Sequence, residues 1–287
     1  MDKIGAKGYT SCMIQLSITT EEETLLSDLL QKLYPDLSQG KIKKLYQQSR
    51  VMRNNFVAEK DCQLKKNELI SILKKPNFIK DIIIYYEDED IVVLEKPPFT
   101  LSVDSEKNPG VSIHSTLKRH YGSVFPVQRL DRETTGVMVY ALTREAKDSF
   151  RGQFMDKSVE REYIAVVHGA IKEKAGVWEC FLKESGDMKM RVSNTGIQAI
   201  THYKVNKTVG SLYSYISCKL ETGKKNQIRV QSAHAGHPII GDSRYGTDQK
   251  NKTLFLHAHK LAFTHPRTGK RLSFISPIPN EFRKKIF

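Results

Sequence analysis

The sequence predicts an α+β protein, on three observations. Runs of β-type residues outnumber helical ones, they follow one another in hairpin-like succession, and no regular βαβ alternation appears that would call for a doubly wound parallel sheet. A largely antiparallel mixed sheet flanked by helices, preceded by a small N-terminal α/β module, is therefore expected. With 287 residues, 39% hydrophobic and 27% charged, the chain has room for two domains and an ordinary globular composition. No apolar stretch approaches the roughly 18 to 20 residues of a membrane span. The first residues, MDKIGAKGYTSCMIQLS, lack the apolar block and small-residue cleavage site of a secretory signal. The expected compartment is the cytoplasm, with no membrane partner.

Taken in order, Thr20 and Glu23 stand at capping-box spacing, and Leu25, Leu26, Leu29, Leu30 and Leu33 then recur on one helical face until Pro35. Ser38 can cap a second helix in which Ile42, Leu45 and Tyr46 face inward and Lys41, Lys43 and Lys44 outward. A hairpin around Asn54-Asn55 and the run ELISIL complete a module over residues 12–75, and KKPNFIKD, 74–81, reads as the linker. A second domain is expected over 81–287. There IIIYYEDEDIVVLEKPP gives two β-type runs around an acidic turn, and VMVYAL a further strand after Gly136. TREAKDSFRGQFM is a helix capped by Thr143, with Ala146, Phe150 and Phe154 on one stripe. REYIAVVHG, GVWECFL, SYISCKLE and TLFLHAHKLAF read as strands, and QIRVQSAHAG as a short helix that Gly236 can end in the left-handed conformation. No internal repeat, phosphate-cradling Walker loop or dinucleotide fingerprint is present.

Net charge is +14, and its placement says more than its size. Residues 1–80 carry +5, residues 81–218 carry −1 and residues 219–287 carry +10. Two basic segments flank a balanced middle, as expected if two surfaces grip a phosphate backbone around a central site, although excess lysine also serves solubility. Cys12, Cys62, Cys180 and Cys218 are widely spaced and form no Cys-x-x-Cys pair, so they read as reduced structural thiols.

The stretch most suggestive of chemistry is FPVQRLDRETTGVMVYAL, where Asp131 stands between Arg129 and Arg132 at the mouth of a strand. A nearby cation favours the ionised carboxylate, which suits a nucleophile better than a proton donor. The plain alternative is an Asp that caps a turn and pairs with its neighbours.

Three ordered segments, QRLDRETTG (128–136), REYIAVVHG (161–169) and LETGKKNQIRVQSAHAGHPIIGDSRYG (220–246), resemble the three motifs of the RluA-type pseudouridine synthases, and the likeness extends over residues 81 to 287. The N-terminal module resembles a ribosomal protein S4-like RNA-binding domain. The resemblance implies an isomerase that needs neither metal nor cofactor. By the resemblance, Asp131 is expected to be the nucleophile that attacks a uridine, at base or ribose, so that the glycosidic bond breaks and the base reattaches through carbon. It implies that Tyr163 stacks on the uracil and helps remove the proton from C5, that Arg229 pairs with Asp131, and that Ile228 packs on the base. A tyrosine opening a strand is also an ordinary core residue, and an arginine in a helical first turn an ordinary salt-bridge former. Base flipping must accompany such chemistry, and the resemblance gives Arg129 the space that the uridine leaves, where a planar guanidinium can stack and hydrogen-bond. Gln227, Arg132 and Lys224 complete the expected substrate-binding set.

The chain departs from the family pattern at several positions. Gln128 stands for the usual His, Thr135 for Ser, and Lys224, Asn226 and Gln231 for Arg, His and His; in the N-terminal module Ser49 and Asn55 replace glycines. The implied partner is RNA, most of all 23S ribosomal RNA, with tRNA as the alternative, and a monomer is the default. Two other classes stay open. One is a metal-dependent hydrolase built on His234, His237, Asp242, His257 and His259; the other is a non-catalytic RNA-binding protein on the same fold.

Overall fold

The computed structural model describes residues 10–11, 14–47, 50–58, 60–73, 77–79, 81–106, 109–246 and 253–286. Cys12 and Ser49 lie outside them. The described residues divide into two units, one over Ser11–Pro76 with Pro277–Lys285, the other dominated by Asn77–Ser276.

In the first unit, β1 (Ile14–Thr19), β2 (Thr24–Leu25), α1 (Leu26–Leu33), α2 (Gln39–Gln47), β3 (Val51–Arg53), β4 (Phe56–Val57), β5 (Gln63–Leu64) and β6 (Leu69–Leu73) follow in order, and α6 (Asn280–Ile286) closes the chain. The sheet order is β1-β6-β3-β4, with β2 and β5 paired separately. Leu26, Leu30, Ile42, Leu45, Tyr46 and Ile70 form the core, and Lys41, Lys43 and Lys44 are exposed, as the helical periodicities predict. The expected capping box does not form. Residues 24–25 pair with Gln63–Leu64 instead, so α1 starts at Leu26 and its first-turn Ser27 N–H donates to Asp61 Oδ1 at 2.8 Å. Thr20 is drawn off to a different task, donating from Oγ1 to Lys65 O and accepting from Glu68 N. Asn54 and Asn55 both take positive φ, 51° and 69°, the geometry of a type I′ hairpin that asparagine tolerates without glycine.

The second unit contains β7 (Asn77–Ile79), β8 (Ile82–Glu87), β9 (Ile91–Lys96), α3 (Ile113–Tyr121), β10 (Phe125–Pro126), β11 (Thr135–Ala141), α4 (Arg144–Met155), β12 (Glu160–His168), β13 (Ala175–Glu184), β14 (Met190–Ser193), β15 (Ile197–Val209), β16 (Tyr213–Leu220), α5 (Gln227–His234), β17 (Leu256–Thr264) and β18 (Arg271–Ile275). Its sheet runs β14-β13-β15-β16-β12-β17-β11-β9-β8-β7, with β18 on β17 and β10 on β11. The β11/β17 pair is parallel and its neighbours antiparallel, so the mixed, largely antiparallel sheet expected from the sequence is what forms. Part of the segment read as linker is strand, because Asn77–Ile79 pairs with Ile82–Ile84. Helix α3, not among the elements expected above, is capped by Ser112, whose hydroxyl accepts from Ser115 N, and buries Ile113 and Leu117.

Strand β11 lies between β9 and β17 and is buried on both faces from Val137 to Ala141. Its first turn of backbone is where the sheet begins to position chemistry. Gly136 has φ +115° and sits opposite Ala258 so closely that a Cβ would collide with the Ala258 backbone. Opposite it on β9, Lys96, fully buried, donates from Nζ to the carbonyls of Pro97, Thr100 and Arg132 at 2.8 to 3.0 Å. One ammonium thus ties the end of β9 to the loop that enters β11, and burial pulls its pKa down to about 8. We expect Gly136→Ala to lower stability by about 2 to 4 kcal/mol, because both the φ and the interstrand contact exclude a side chain. Urea unfolding followed through the single tryptophan, Trp178, which lies in this unit, measures it.

Candidate active site

Residues 130 to 132 form a loop whose backbone is fixed at each position. Ser102 Oγ accepts from Leu130 N and donates to Leu130 O, Asp131 O accepts from Thr134 N, and Lys96 takes Arg132 O. The Asp131 carboxylate projects from this support with 24% of its side chain exposed, so it is accessible without being loose.

Helix α5 meets it from the other side. Asn226, directly before the helix, adopts the left-handed conformation at φ 55°, which asparagine accepts more readily than most residues, and donates to Asp131 Oδ2 at 2.6 Å. Arg229 Nη1 donates to the same oxygen at 3.1 Å. Both donors converge on Oδ2, and no partner of Oδ1 is found among the described residues.

Arg229 is only 4% exposed and is held by more than Asp131. Asp242 takes its Nε at 2.7 Å and its Nη2 at 2.8 Å, a bidentate pair with a carboxylate that is itself fully buried. Glu133 Oε2 lies 3.5 Å from Nη1, and the guanidinium lies over the Tyr245 ring. Burial alone would lower the pKa of Arg229, but the bonds and charges of Asp242 and Asp131 win and raise it above the usual arginine range. Burial would likewise raise Asp242, and Arg229 instead holds it below the ordinary carboxylate value. Asp242 also accepts from Arg244 N and Tyr245 N, and Tyr245 donates from its hydroxyl to Asn226 Oδ1, so the loop 242–246 supports both donors that reach Asp131.

Tyr163 stands where the β12/β17 register slips between Glu162 and Tyr163, an irregularity that re-aims a side chain. It lines one pocket with Arg129, Asp131, Lys224, Ile228 and Arg229. Burial pushes its phenol up to about 12, with Arg161 acting the opposite way, so at neutral pH it is protonated. A larger cleft of about 680 Å³ shares Arg129, Tyr163, Leu220 and Lys224 with this pocket.

The structure therefore gathers Asp131, Arg229, Tyr163, Arg129, Ile228 and Lys224. Gln227 and Arg132 are placed otherwise. Gln227 lines the pocket, but its oxygen accepts from Thr222 Oγ1 and Lys224 N while its amide donates to Ile200 O and Thr201 Oγ1; with all four positions used it holds the loop instead of offering itself to a ligand. Arg132 is exposed, turns its Nε toward Phe99 O, and lines neither the pocket nor the cleft. Gln231, the other departure on α5, is equally internal, accepting from Thr201 Oγ1 and donating to Trp178 O and Ala199 O. The sequence assigns Asn226, Tyr245 and Lys96 no role in this site and Asp242 only a place in the alternative metal set; the block GDSRYG, which contains both Asp242 and Tyr245, is the available signal.

The residues of the hydrolase alternative do not gather. Asp242 is committed to Arg229, His237 Nδ1 pairs with His168 O, and His257 is buried between Thr135 and Ser276, where burial lowers its pKa to about 3. Among the described residues the one cluster with metal-binding spacing is Asp88, Asp90 and His265. There His265 Nδ1 accepts from the N–H groups of Arg267 and Thr268, which leaves Nε2 as the N–H that donates to Asp88, and Arg267 occupies Asp90.

Residues 90–234 match the family model for RNA pseudouridylate synthase. The chain belongs to that family. Its similarity to the uncharacterized RNA pseudouridine synthase YjbO of Bacillus subtilis is 34% identity over 212 residues, covering 71% of this chain and 75% of the relative. It is 30% identical over 302 residues to ribosomal large subunit pseudouridine synthase D of Haemophilus influenzae, covering 94% and 93% of the two chains. The solved structure of human RNA pseudouridylate synthase domain containing 1 superposes with a TM-score of 0.60 at 21% identity, over 71% of this chain and 86% of that one, a likeness of fold. The protein is thus an RNA pseudouridine synthase of the RluA type, and the motif order read from the sequence agrees with this.

Asp242→Asn is expected to lower stability by about 3 to 5 kcal/mol, because it leaves a buried guanidinium short of its main counter-charge. The sign in acid follows from the depressed pKa: this contribution is present above the unfolded value of 3.8 and is lost as pH falls through the folded one. Urea unfolding at several pH values should show that the variant lacks that part of the wild type's acid sensitivity.

Proposed function

We propose that the protein isomerises specific uridines of 23S ribosomal RNA to pseudouridine, with Asp131 as nucleophile. The observation that carries this reading is the Asp131 carboxylate itself: it sits on a fixed loop, lines a pocket with Tyr163, Ile228 and Arg229, and has one oxygen held by two donors while the other has no partner among the described residues. Attack by that oxygen on the uridine, at ribose or base, lets the N1–C1′ bond break; the base turns, C5 bonds to C1′, the bond to Asp131 breaks and returns the carboxylate, the C5 proton leaves and N1 regains one. Reactants and product have the same composition, so no oxidant or second substrate enters.

The neighbours take roles that follow from their placement. Arg229, immobilised by Asp242, fixes the carboxylate without moving during the reaction, which is the value of a preorganised charge. Ile228 and Tyr163 offer apolar faces to a flat base. The high pKa of Tyr163 favours packing over service as a phenolate base. Arg129, exposed at the rim and lining both pocket and cleft, is placed to fill the stack a flipped uridine leaves. The N-terminal module, with its exposed Lys41, Lys43 and Lys44, serves as an S4-like RNA-binding domain in this proposal. Support for ribosomal RNA comes from the relatives named as large-subunit synthases, which match nearly the full chain.

Asp131→Asn is expected to abolish pseudouridine formation while leaving RNA affinity within about threefold, since the substitution keeps size and changes only charge. The check is mapping of pseudouridines in total RNA from cells lacking the gene, complemented with wild type or variant. Sites lost from 23S RNA and restored only by wild type support the proposal; sites lost from tRNA would move the substrate, and an unchanged map would favour a binding protein.

A further inference from the structure

Five buried side-chain polar atoms lack a hydrogen-bond partner among the described residues, and two of them, Gln128 Nε2 and Arg161 Nε, belong to residues lining the 680 Å³ cleft beside the Asp131 pocket. Both are donors. Buried donors are normally paired, so two orphans on side chains that line one cleft point to acceptors that each side chain meets by turning its N–H into the cleft.

Arg161 makes the stronger case. It is half-buried, no carboxylate among the described residues pairs with it, and its guanidinium lies over the Phe154 ring at 5.4 Å, which orients the plane while leaving N–H edges available. Gly223 completes the seat, since a Cβ there would collide with Arg161 Nη1. The rest of the lining matches in sign. Arg129, Lys147, Arg151, Lys157 and Lys224 add cations, and the one acid, Glu221, already pairs with Lys157 at 2.6 Å.

We infer that this cleft is a phosphodiester site, in which Arg161 and Gln128 bind the RNA backbone next to the uridine that enters the Asp131 pocket. The inference rests on the RNA reading above and adds the place where the strand lies. It gives Gln128 a function that its family-typical neighbours in the first motif do not reveal. A guanidinium with free edges can hold two phosphate oxygens and a carboxamide N–H a third, and neither contact reads sequence.

The test measures binding apart from turnover, in full-length Asp131→Asn protein, using a fluorescein-labelled oligouridylate and anisotropy over a range of KCl concentrations. Adding Arg161→Gln should weaken binding about tenfold and reduce the slope of log affinity against log salt by roughly 0.7, the value of one phosphate contact on a single strand. Gly223→Ala, which leaves net charge unchanged and displaces the guanidinium, should weaken binding in the same direction. It carries the test if Arg161→Gln does not fold. Affinity within twofold of the parent for both variants, with the salt slope intact, overturns the inference. That outcome leaves the role of Asp131 untouched, because pseudouridine formation is scored separately in protein that keeps Asp131. Loss of binding with no pseudouridine made by wild type would instead retain the cleft and reject the catalytic proposal.

Discussion

A buried arginine shared between two carboxylates organises this candidate active site. Arg229 commits two nitrogens to Asp242 and turns the third toward Asp131. A guanidinium at 4% exposure would be costly alone, and the fully buried Asp242 makes it tenable. Because that anchor also fixes the loop carrying Tyr245, and Tyr245 bonds Asn226, both donors to Asp131 Oδ2 are set by one structural unit. The carboxylate that the sequence places between Arg129 and Arg132 is paired with neither of them; its cation comes from 98 residues away.

The sheet supplies the opposing constraint. Asp131 must be rigid while its loop leads into a strand buried on both faces, and this is met by close backbone approach at Gly136 and by Lys96 beneath the loop. A lysine with all three protons on carbonyls works here as a backbone clamp, available only because the charge is satisfied without a counter-ion in contact. Polar groups in this region fall into two kinds. Gln227, Gln231 and Lys96 are bonded within the chain, whereas Gln128 Nε2 and Arg161 Nε have no partner among the described residues, and in the phosphodiester proposal that contrast separates scaffold from ligand-binding surface.

Much of this was legible from residue order. Hairpin-forming runs, the Thr143 cap, the Asn54-Asn55 turn and the Asp131-to-strand transition are local signals, and each forms as expected. What was hidden depends on distant partners. The start of α1 is set by Asp61, 34 residues on, so a capping box at Thr20 was a reasonable but local reading. Gln227 looked like a ligand contact because it adjoins Ile228 and Arg229, and only the tertiary structure shows its amide spent on Ile200, Thr201, Thr222 and Lys224. Arg132 and Arg129 are indistinguishable by type and spacing, yet the loop turns one toward the pocket and the other toward Phe99. Asp242 read at best as one member of a scattered metal set, since nothing in sequence says which carboxylate a buried arginine will choose.

The central claim is that the free oxygen of Asp131 forms the bond to the uridine. Its most direct test is to quench the protein during turnover on 23S ribosomal RNA, digest the RNA and then the protein, and locate any uridine adduct by peptide mass mapping. The account predicts a nucleotide-sized adduct on Asp131. An adduct on any other side chain would contradict it.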